Sequence, residues 1–470
     1  MAFKKIGTSL KMNGATERLA HFVATIQYES LPPEAIAVAK QAILDCLGCI
    51  IAGVNETAVK VTSDYAQSLK STQEAGVICR AFRTSAETAA WINGVASHCL
   101  DYDDVGIMSR HGNIHPSVSI LPAVLALGER DHASGREILV SFIAGIETEL
   151  QLGVVMGKQI SGIGWHPTPV LGVMGAAAAA CRLLALNAEQ TRCAFGIASS
   201  FASGLQPNFG TMTKPLHAGN AARGGVVAGL LASRGFDGNQ RIFEEPLGFS
   251  NIFAGKGTAE RISQDPHWNE GWQIIRGIAF KPYPSCRGTH PGIDALLELK
   301  KEFGIEGKDI VSIDCKVNPW DLELLRYHDP QNALEAKFSL EHCLAVALLD
   351  GSVNLSHFTE SRVKDPKVKA IVARTHCHSP ADWADSPKLC QELTMKDRAG
   401  KEYTKKVLTP KGDPDNPLSD LELADKFADC ASSWFAKQES REITAQVGRL
   451  ELLADIGPLM ESLTKVGSGV

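Results

Sequence analysis

The sequence predicts a mainly α-helical protein with a smaller α+β region late in the chain. Apolar residues recur at helical spacing through most of the first 250 residues, as in the segment 36–51. From 311 to 317, apolar and polar residues alternate, which is the period of a β-strand. Helical spacing returns after the proline-rich segment 410–417 (PKGDPDNP), which we interpret as a linker. A mixed region of roughly 270–405 therefore lies between two helical parts.

In the N-terminal part, several helix ends are marked by specific residues. A helix is expected to begin near Pro33 and to end at Gly53. Residues 134–137 (SGRE) and 187–190 (NAEQ) have the capping-box pattern, in which two side chains satisfy the first free backbone N–H groups of a helix. Segments rich in alanine and glycine, such as VLGVMGAAAAA from residue 170, predict central helices whose backbones approach closely.

The C-terminal half mixes strand and helix patterns. Besides the strand at 311–317, the segment 393–408 predicts a hairpin that turns at 397–400. The expected helices are 338–349, 366–374, 421–435 and 443–463, the last of them broken at Gly457-Pro458.

Composition limits the classes of function. The chain has 470 residues, 44% of them hydrophobic and 21% charged, enough for two or three packed domains. A formal net charge of −6 does not fit a nucleic-acid binder. The longest nearly uninterrupted apolar stretch, 170–181, is shorter than the roughly twenty residues of a membrane-spanning helix. Without a recognisable secretory signal, the 12 cysteines are expected to be reduced, so we expect a cytoplasmic protein, or a mitochondrial one if the source is eukaryotic.

Four short segments place basic side chains among glycine and proline, next to apolar helices. They are residues 100–104 with 110–117, residues 164–168, residues 212–220 and residues 280–290. Proline and glycine fix the backbone there, which is how a rigid scaffold positions groups for a ligand. A single His-Pro pair is more typical of a helix cap or a core histidine. Four such segments in an acidic chain predict a cationic pocket for an anion.

These segments carry a resemblance to a known family. Together with WINGVASHCLDYDD (91–104) and EAKFSLEHCLAVALLDG (335–351), they resemble the MmgE/PrpD family, in the same order along nearly the whole chain. That family includes 2-methylcitrate dehydratase, cis-aconitate decarboxylase and iminodisuccinate epimerase. The resemblance implies a large all-helical domain built from both chain ends, 1–268 and 411–470, a smaller α+β lid domain at 269–410, and a homodimer.

The resemblance also implies a set of functional residues. As catalytic groups it points to Asp101, His115, His166, Lys214, Lys281, Cys286 and Tyr327. As further substrate-binding groups we expect His217, Arg287 and His290. No bound cofactor or metal is expected.

The expected roles follow the chemistry that this family shares, which takes place next to a carboxylate. His115 and His166 would transfer protons, and Asp101 would orient one of them. Lys214 and Lys281 would bind substrate carboxylates and stabilise enolate-like charge. Cys286 or Tyr327 would be a second acid or base. In relatives with decarboxylase activity, the position of Cys286 is a histidine in animals and a cysteine in fungi.

We therefore expect a cofactor-independent lyase that dehydrates a 2-methylcitrate- or citrate-like polycarboxylate. Decarboxylation of cis-aconitate to itaconate and an iminodisuccinate-type epimerisation remain alternatives. Animal decarboxylases have a threonine where this chain has Val105, and the loop between Asp104 and His115 is longer here, so substrate identity does not transfer directly. A catalytically silent helical scaffold is the non-enzymatic alternative. It predicts that His115, His166 and Lys214 lie far apart.

Three other patterns in the sequence have structural interpretations. Cys46 and Cys49 have redox-motif spacing but lie within an apolar helix pattern, which favours packing. His376 and His378 fall on one face of a strand, yet no second cluster with metal-ligand spacing appears. The carboxylates of 101–104 suit a hard cation, although capping and ion pairing explain them as well. Neither a P-loop nor a strand-following G-x-G-x-x-G is present, which disfavours a nucleotide cofactor.

Overall fold

The structure is a computed structural model that describes residues 14–107, 112, 114–264, 271–387 and 389–465. It forms two compact units. The first comprises Met1–Cys99, Asp103–Ile278 and Ser419–Val470, and the second comprises Leu100–Tyr102 and Ala279–Leu418. The predicted mainly α-helical class is confirmed. The predicted role of residues 269–410 as a lid stays a prediction.

Helices dominate the described residues, and strands are few and mostly short. The helices are α1 (Ala15–Thr25), α2 (Pro33–Gly53), α3 (Thr57–Ser68), α4 (Ala86–His98), α5 (Ser117–Arg130), α6 (Gly135–Gly162), α7 (Pro167–Leu183), α8 (Ala188–Ala198), α9 (Thr213–Ser233), α10 (Phe249–Ala254), α11 (Thr258–Gln264), α12 (Gln273–Gly277), α13 (His290–Phe303), α14 (Pro319–Leu324), α15 (Ala333–Ala336), α16 (Leu340–Asp350), α17 (Glu360–Val363), α18 (Pro366–Val372), α19 (Asp420–Ala431), α20 (Lys437–Gly448) and α21 (Gly457–Thr464). The strands are β1 (Ala75–Val77), β2 (Phe82–Thr84), β3 (Val105–Gly106), β4 (Ile278–Ala279), β5 (Ile310–Val317), β6 (Thr375–His378), β7 (Gln391–Asp397) and β8 (Glu402–Val407).

Most predicted helix ends are found where the sequence placed them. Helix α2 begins at Pro33 and ends at Gly53. Helix α6 opens with the expected capping box, in which the Glu137 carboxylate accepts a hydrogen bond from the Ser134 backbone N–H at 2.7 Å. The break predicted within 443–463 was misplaced, because Gly457 is the first residue of α21. The following proline is tolerated there because the first turn of a helix needs no backbone donor at that position.

Glycines bring three central helices of the first unit close together. A Cβ atom on Gly94 of α4 would lie 2.8 Å from the Cα of Gly219 on α9, and one on Gly219 would lie 2.4 Å from the Trp91 carbonyl oxygen. A Cβ on Gly225 of α9 would lie 2.4 Å from the Cβ of Ala176 on α7. Such distances exclude any side chain, so these helices can pack at this separation only with glycine at the contacts. The predicted close approach of the alanine- and glycine-rich helices is confirmed.

The first unit is not strictly all-helical, which corrects the expectation from the resemblance. Strands β1 and β2 form an antiparallel pair in which Ala75 lies opposite Thr84. The Asn93 side chain of α4 donates a hydrogen bond to the Gly76 carbonyl and accepts one from the Ile78 backbone N–H, which ties this pair to the helices.

Within the part of the first unit that the structure describes, two helices have the length and apolar composition of a membrane span. They are α2 and α6, with 21 and 28 residues. Within the most apolar window of each, 67% and 89% of the residues are buried inside the unit. Buried core helices meet the same criteria of length and composition.

The second unit is built around a four-stranded sheet with the order β6-β5-β7-β8. Strands β5 and β6 are parallel, and the other neighbours are antiparallel. The predicted strand 311–317 is β5, and the predicted hairpin 393–408 is β7 and β8. The segment 410–417, predicted as a linker, belongs to this unit: the Gly412 carbonyl accepts a hydrogen bond from the Phe280 backbone N–H at 2.9 Å.

Candidate active site

Four buried histidines of the first unit lie together with one aspartate and one lysine. We call this group the histidine cluster; its members are His98, Asp103, His115, His166, Lys214 and His217. His98 is the last residue of α4, His115 lies just before α5, and His166 directly precedes α7. Lys214 and His217 lie at the start of α9. The cluster is therefore assembled from four helix ends that are distant in sequence.

The Asp103 carboxylate links two of the imidazoles. Its oxygens lie 3.1 Å from His98 Nδ1, and its Oδ2 lies 2.6 Å from His115 Nδ1. Burial acts to raise the pKa of Asp103, but the two histidines outweigh it and hold this pKa well below its usual range. An ionised carboxylate can only accept, so both imidazoles donate from Nδ1. Each ring then carries its lone pair on Nε2 when it is neutral.

The remaining imidazoles extend the cluster. The His98 ring stacks near that of His166, with ring centroids 5.8 Å apart, and His166 Nδ1 lies 3.1 Å from His217 Nδ1. Burial, reinforced by neighbouring histidines and by Lys214, lowers the pKa of His98 and of His217 to about 4, and it holds that of His166 well below its usual range. The Nε2 atoms of His98 and His166 are buried and have no hydrogen-bond partner among the described residues. These two nitrogens are free to exchange a proton.

Positive charge reaches the cluster from one side chain and from three helix ends. The Lys214 ammonium lies 5.5 Å from the centroid of the Phe209 ring, and the His166 ring packs against the same ring at 4.8 Å. Helices α5, α7 and α9 all begin at the cluster. Because a helix carries partial positive charge at its N-terminus, this arrangement favours an anion.

Backbone contacts fix the rings in place. The His166 backbone N–H donates to the Gly204 carbonyl at 2.8 Å, and the His115 backbone N–H donates to Thr168 Oγ1 at 3.1 Å. Gly204 has a φ of +141°, and a Cβ atom there would lie 2.6 Å from Pro169 Cγ. Only glycine suits this position, which lies against the ring of His217.

A second carboxylate supports the start of α5. The Asp104 side chain accepts hydrogen bonds from the backbone N–H and the hydroxyl of Ser117. Burial, together with the charge of Asp45, raises the pKa of Asp104 to about 8. Because it accepts these hydrogen bonds at the N-terminus of α5, Asp104 is a capping group, which is one of the two explanations that the sequence offered for the carboxylates of 101–104.

The second unit holds a different group of charged residues, which we call the lysine–arginine cluster: Asp101, Lys281, Arg287, His290 and Lys337. Lys281 Nζ donates to the Asp101 carbonyl at 2.9 Å and to its carboxylate at 3.1 Å. Lys337 Nζ donates to the carbonyls of Leu100 at 2.7 Å and of Pro284 at 3.2 Å. The two ammonium groups are buried and are held by oxygen atoms of the same unit.

Arg287 and His290 complete this cluster. An Arg287 guanidinium nitrogen lies 3.0 Å from His290 Nδ1 and donates to the Lys411 carbonyl at 2.9 Å. Burial lowers the pKa of Arg287 to about 10, and burial together with Arg287 and Lys281 lowers that of His290 well below its usual range. Two further guanidinium nitrogens, Nε and Nη2, are buried and have no hydrogen-bond partner among the described residues.

The two remaining predicted residues differ in their surroundings. Cys286 is buried, and its backbone N–H donates to the Lys337 carbonyl at 2.8 Å, so it adjoins the lysine–arginine cluster. Tyr327 is half-buried and packs against the hydrophobic core of the second unit. The Arg326 guanidinium lies 5.6 Å from its ring.

The structure thus groups the predicted residues and adds others. His115, His166, Lys214 and His217 come together in the first unit, which the scaffold alternative did not expect. Sequence reasoning missed His98, Asp103 and Lys337, although the first two lie inside the motif WINGVASHCLDYDD. The carboxylate next to His115 is that of Asp103, whereas the orienting role expected of Asp101 stays a prediction. Residues 110, 111 and 113 of the predicted segment 110–117 lie outside the described residues.

Among the described residues, two groups of side chains have the spacing that a metal ion needs. In the first unit, donor atoms of His98, Asp103 and His115 lie within 4.8 Å of one another, but their Nδ1 and carboxylate atoms already bond to each other. In the second unit, Asp314, His376 and His378 meet the same criterion. Cys46 and Cys49 are both buried in α2, and burial raises the pKa of both thiols well above the usual value, as expected of packed, unreactive cysteines.

Comparison with known proteins gives matches across both units. Residues 17–262 match the family model of the MmgE/PrpD N-terminal domain, and residues 283–452 match that of the MmgE/PrpD C-terminal domain. A cis-aconitate decarboxylase from Mus musculus is 30% identical, over 97% of this chain and 94% of its own length. Cis-aconitate decarboxylases from Homo sapiens and Aspergillus terreus are 29% and 25% identical, over 96% and 98% of this chain and 94% and 98% of their own lengths.

Proposed function

This chain belongs to the MmgE/PrpD family, and on that premise we propose that it is a lyase that transfers a proton next to a carboxylate of a small polycarboxylate. The observation that carries the proposal is the histidine cluster. Buried imidazoles with free ring nitrogens are suited to moving a proton, because histidine exchanges protons near neutral pH more readily than any other side chain.

An anionic substrate fits the charges around the cluster. Lys214 supplies a full positive charge, and the N-termini of α5, α7 and α9 supply partial ones. A substrate carboxylate bound there would be stabilised by these charges. The same groups would stabilise the enolate-like charge that develops as a bond next to the carboxylate breaks, which lowers the activation free energy.

Asp103 and His115 are the proposed proton-transfer pair. Asp103 accepts the Nδ1 proton of His115, which orients the ring and places its lone pair on Nε2. A proton taken up at Nε2 gives an imidazolium, and the adjacent carboxylate stabilises its charge. His98, which shares the same carboxylate, and His166 are the next imidazoles along the cluster and the proposed relay for that proton.

For the reaction itself, decarboxylation of cis-aconitate is the first candidate. The relatives that carry this name match nearly the whole chain, which favours it over the dehydration expected from the sequence. In this reaction, a carbon–carbon bond breaks, carbon dioxide leaves, and the electron pair passes into the conjugated carboxylate system. A histidine then donates a proton to carbon, which completes the product.

Dehydration of a citrate-like substrate is the second candidate. Here a histidine removes a proton next to a carboxylate, and the hydroxyl group on the neighbouring carbon leaves as water after it is protonated. Val105 is buried and apolar at the position where animal decarboxylases have a threonine, so the substrate of those enzymes does not transfer directly to this chain. The roles predicted for Lys281, Cys286, Arg287, His290 and Tyr327, the homodimer, the cytoplasmic location and the lack of a cofactor stay predictions.

Proton NMR in D2O distinguishes these reactions in one experiment. The protein, treated with EDTA, is incubated separately with cis-aconitate, citrate, 2-methylcitrate and a mixture that generates iminodisuccinate. Decarboxylation releases carbon dioxide and yields a deuterated product with one carboxylate fewer, dehydration converts citrate or 2-methylcitrate into an unsaturated product that keeps all its carboxylates, and epimerisation exchanges a proton for deuterium without loss of water or carbon dioxide. Activity that EDTA abolishes and a divalent cation restores would contradict a cofactor-independent reaction.

The variant that tests the role of the carboxylate is Asp103→Asn, which keeps the size of the side chain but removes its charge. We expect this variant to remain folded and to lose most of the turnover. Absence of any reaction by the folded wild-type protein with all these substrates would favour the silent scaffold and overturn the proposal.

A further inference from the structure

A cluster of metal-ligating side chains lies in the second unit, on the sheet and separate from the lysine–arginine cluster. It consists of Asp314 on β5 and His376 and His378 on β6, and we call it the surface triad. In the parallel pairing of these strands, Asp314 lies next to His376. Alternate residues of a strand face the same side, so both histidines and the aspartate project from one face.

The donor atoms of the surface triad are already close to the geometry of a bound ion. His378 Nδ1 lies 3.5 Å from an Asp314 carboxylate oxygen, and one donor atom from each of the three residues lies within 4.8 Å of the others. Zinc binds histidine nitrogen and carboxylate oxygen at about 2.0–2.2 Å in tetrahedral sites, so two ligands of one ion are separated by about 3.3–3.6 Å. The His378–Asp314 distance matches such an edge.

The contacts within the triad are poor as ordinary hydrogen bonds. A separation of 3.5 Å is longer than a normal N–H···O hydrogen bond, and His378 Nδ1 is buried without a hydrogen-bond partner among the described residues. The rings of His376 and His378 stack nearly parallel, with centroids 4.8 Å apart and an angle of 20° between planes. Two protonated imidazoles would repel each other in this arrangement, whereas two neutral ones can share a cation.

The neighbouring charges do not oppose a cation. Lys316 lies on the same face as Asp314 and next to His378, but its ammonium is paired with the Glu392 carboxylate at 2.8 Å. The Asp314 and His378 side chains are 46% and 32% exposed, so an ion has access from solvent.

We propose that Asp314, His376 and His378 form a surface binding site for Zn²⁺ or a similar divalent first-row metal ion. Two imidazoles and one carboxylate are a known ligand set for such ions, and they leave one or more coordination positions open to water. The site lies outside the groups proposed for catalysis. Whether this site binds a metal ion therefore does not depend on the proposed function.

Cobalt titration of the chain without a polyhistidine tag tests the site. Co²⁺ replaces Zn²⁺ in sites of this kind, and its visible d–d absorption reports the coordination. We expect the wild-type protein to bind one more equivalent of Co²⁺ than His376→Ala or Asp314→Asn. Any binding in the first unit is common to all these proteins and cancels in the comparison.

The matched control is His328→Ala, which removes an exposed imidazole of the same unit that also lies close to a carboxylate, that of Glu341. We expect this variant to bind cobalt as the wild type does. The triad variants should lose affinity by more than about tenfold, since loss of even an outer-shell partner costs 10- to 100-fold. The proposed site would be overturned if the wild type and His376→Ala bound Co²⁺ with equal stoichiometry and affinity. It would also be overturned if the wild type bound no Co²⁺ in the titration.

Discussion

The histidine cluster and the lysine–arginine cluster share a sequence pattern but differ in how their polar atoms are satisfied. In the first, the Nε2 atoms of His98 and His166 are buried without a hydrogen-bond partner among the described residues. In the second, the ammonium groups of Lys281 and Lys337 donate to backbone carbonyls, whereas Nε and Nη2 of Arg287 have no hydrogen-bond partner among the described residues. The same sequence pattern, basic residues among glycine and proline, can therefore supply proton-transfer groups in one unit and hold backbone segments together in the other.

The difference follows from the cost of burial. A neutral imidazole can be buried at modest cost, because its pKa falls until it carries no charge. A buried ammonium group needs oxygen partners, since an unpaired charge is far more costly to desolvate. In the second unit these partners are the carbonyls of Leu100 and Asp101, so Lys337 and Lys281 fasten the segment Leu100–Tyr102 to the rest of that unit.

The largest expected effect is on turnover, in the histidine cluster. His115→Gln keeps a side chain that can hydrogen-bond to Asp103 but cannot transfer a proton. We expect kcat to fall by about 10²- to 10⁴-fold, the usual contribution of general acid–base catalysis. Steady-state kinetics on the substrate identified by NMR, together with a thermal melt, checks this.

The control for that experiment is His132→Gln, in which an exposed histidine near Asp455 is changed in the same way. We expect its kcat to equal that of the wild type. If His115→Gln retained full turnover while folded, the histidine cluster would be a packed core and its contrast with the second unit would disappear.

The next largest effect concerns stability, in the lysine–arginine cluster. Lys281→Met removes the charge that pairs with the buried Asp101 carboxylate. We expect a loss of about 3–5 kcal/mol in the free energy of unfolding, as is usual when one partner of a buried ion pair is removed. Urea denaturation followed by circular dichroism measures it.

Lys396→Met is the matched control, because Lys396 forms an exposed ion pair with Glu402 at 3.3 Å. Exposed pairs contribute about 0–1 kcal/mol, so this variant should resemble the wild type. Equal effects of the two substitutions would show that Lys281 does not hold the structure together. The structural role that we assign to the lysine–arginine cluster would then be wrong.

The limits of sequence reasoning are visible at the acidic motif 101–104. It contains three aspartates in four residues, and the sequence favoured Asp101 as the partner of a histidine. In the structure, Asp101 adopts a left-handed backbone conformation with φ of +53° and pairs with Lys281, and the carboxylate at His115 is that of Asp103. A positive φ is uncommon for residues other than glycine and leaves no local pattern, so the sequence does not show which carboxylate faces which ring.

Periodicity and capping were more informative than side-chain direction. The predicted strand, hairpin and capping boxes were found because each depends on residues within one turn or one hairpin. The pairing of His98 with Asp103 depends instead on how α4 ends and how the following loop folds back. Such contacts depend on tertiary packing, which cannot be inferred from the local pattern of a single sequence.

The smallest expected effect is on the pH dependence of stability. Burial lowers the pKa of His98 and His217 to about 4, whereas an exposed histidine has a pKa of about 6.5. These histidines are neutral when folded but take up protons when unfolded below pH 6.5, so their contribution to stability is present above pH 6.5 and is lost as the pH falls toward 4.

Each such histidine adds about 1.4 kcal/mol per pH unit to the slope of the free energy of unfolding between these limits. We therefore expect the double variant His98→Gln/His217→Gln to flatten the slope between pH 6 and 4.5 by about twice as much as His290→Gln, the one lysine–arginine cluster histidine with a lowered pKa. Urea denaturation at several pH values measures these slopes. A double variant with the wild-type slope would mean that His98 and His217 take up protons as readily in the folded protein as in the unfolded one. His98 would then be protonated below pH 6.5 and could not accept the proton that the proposed relay requires.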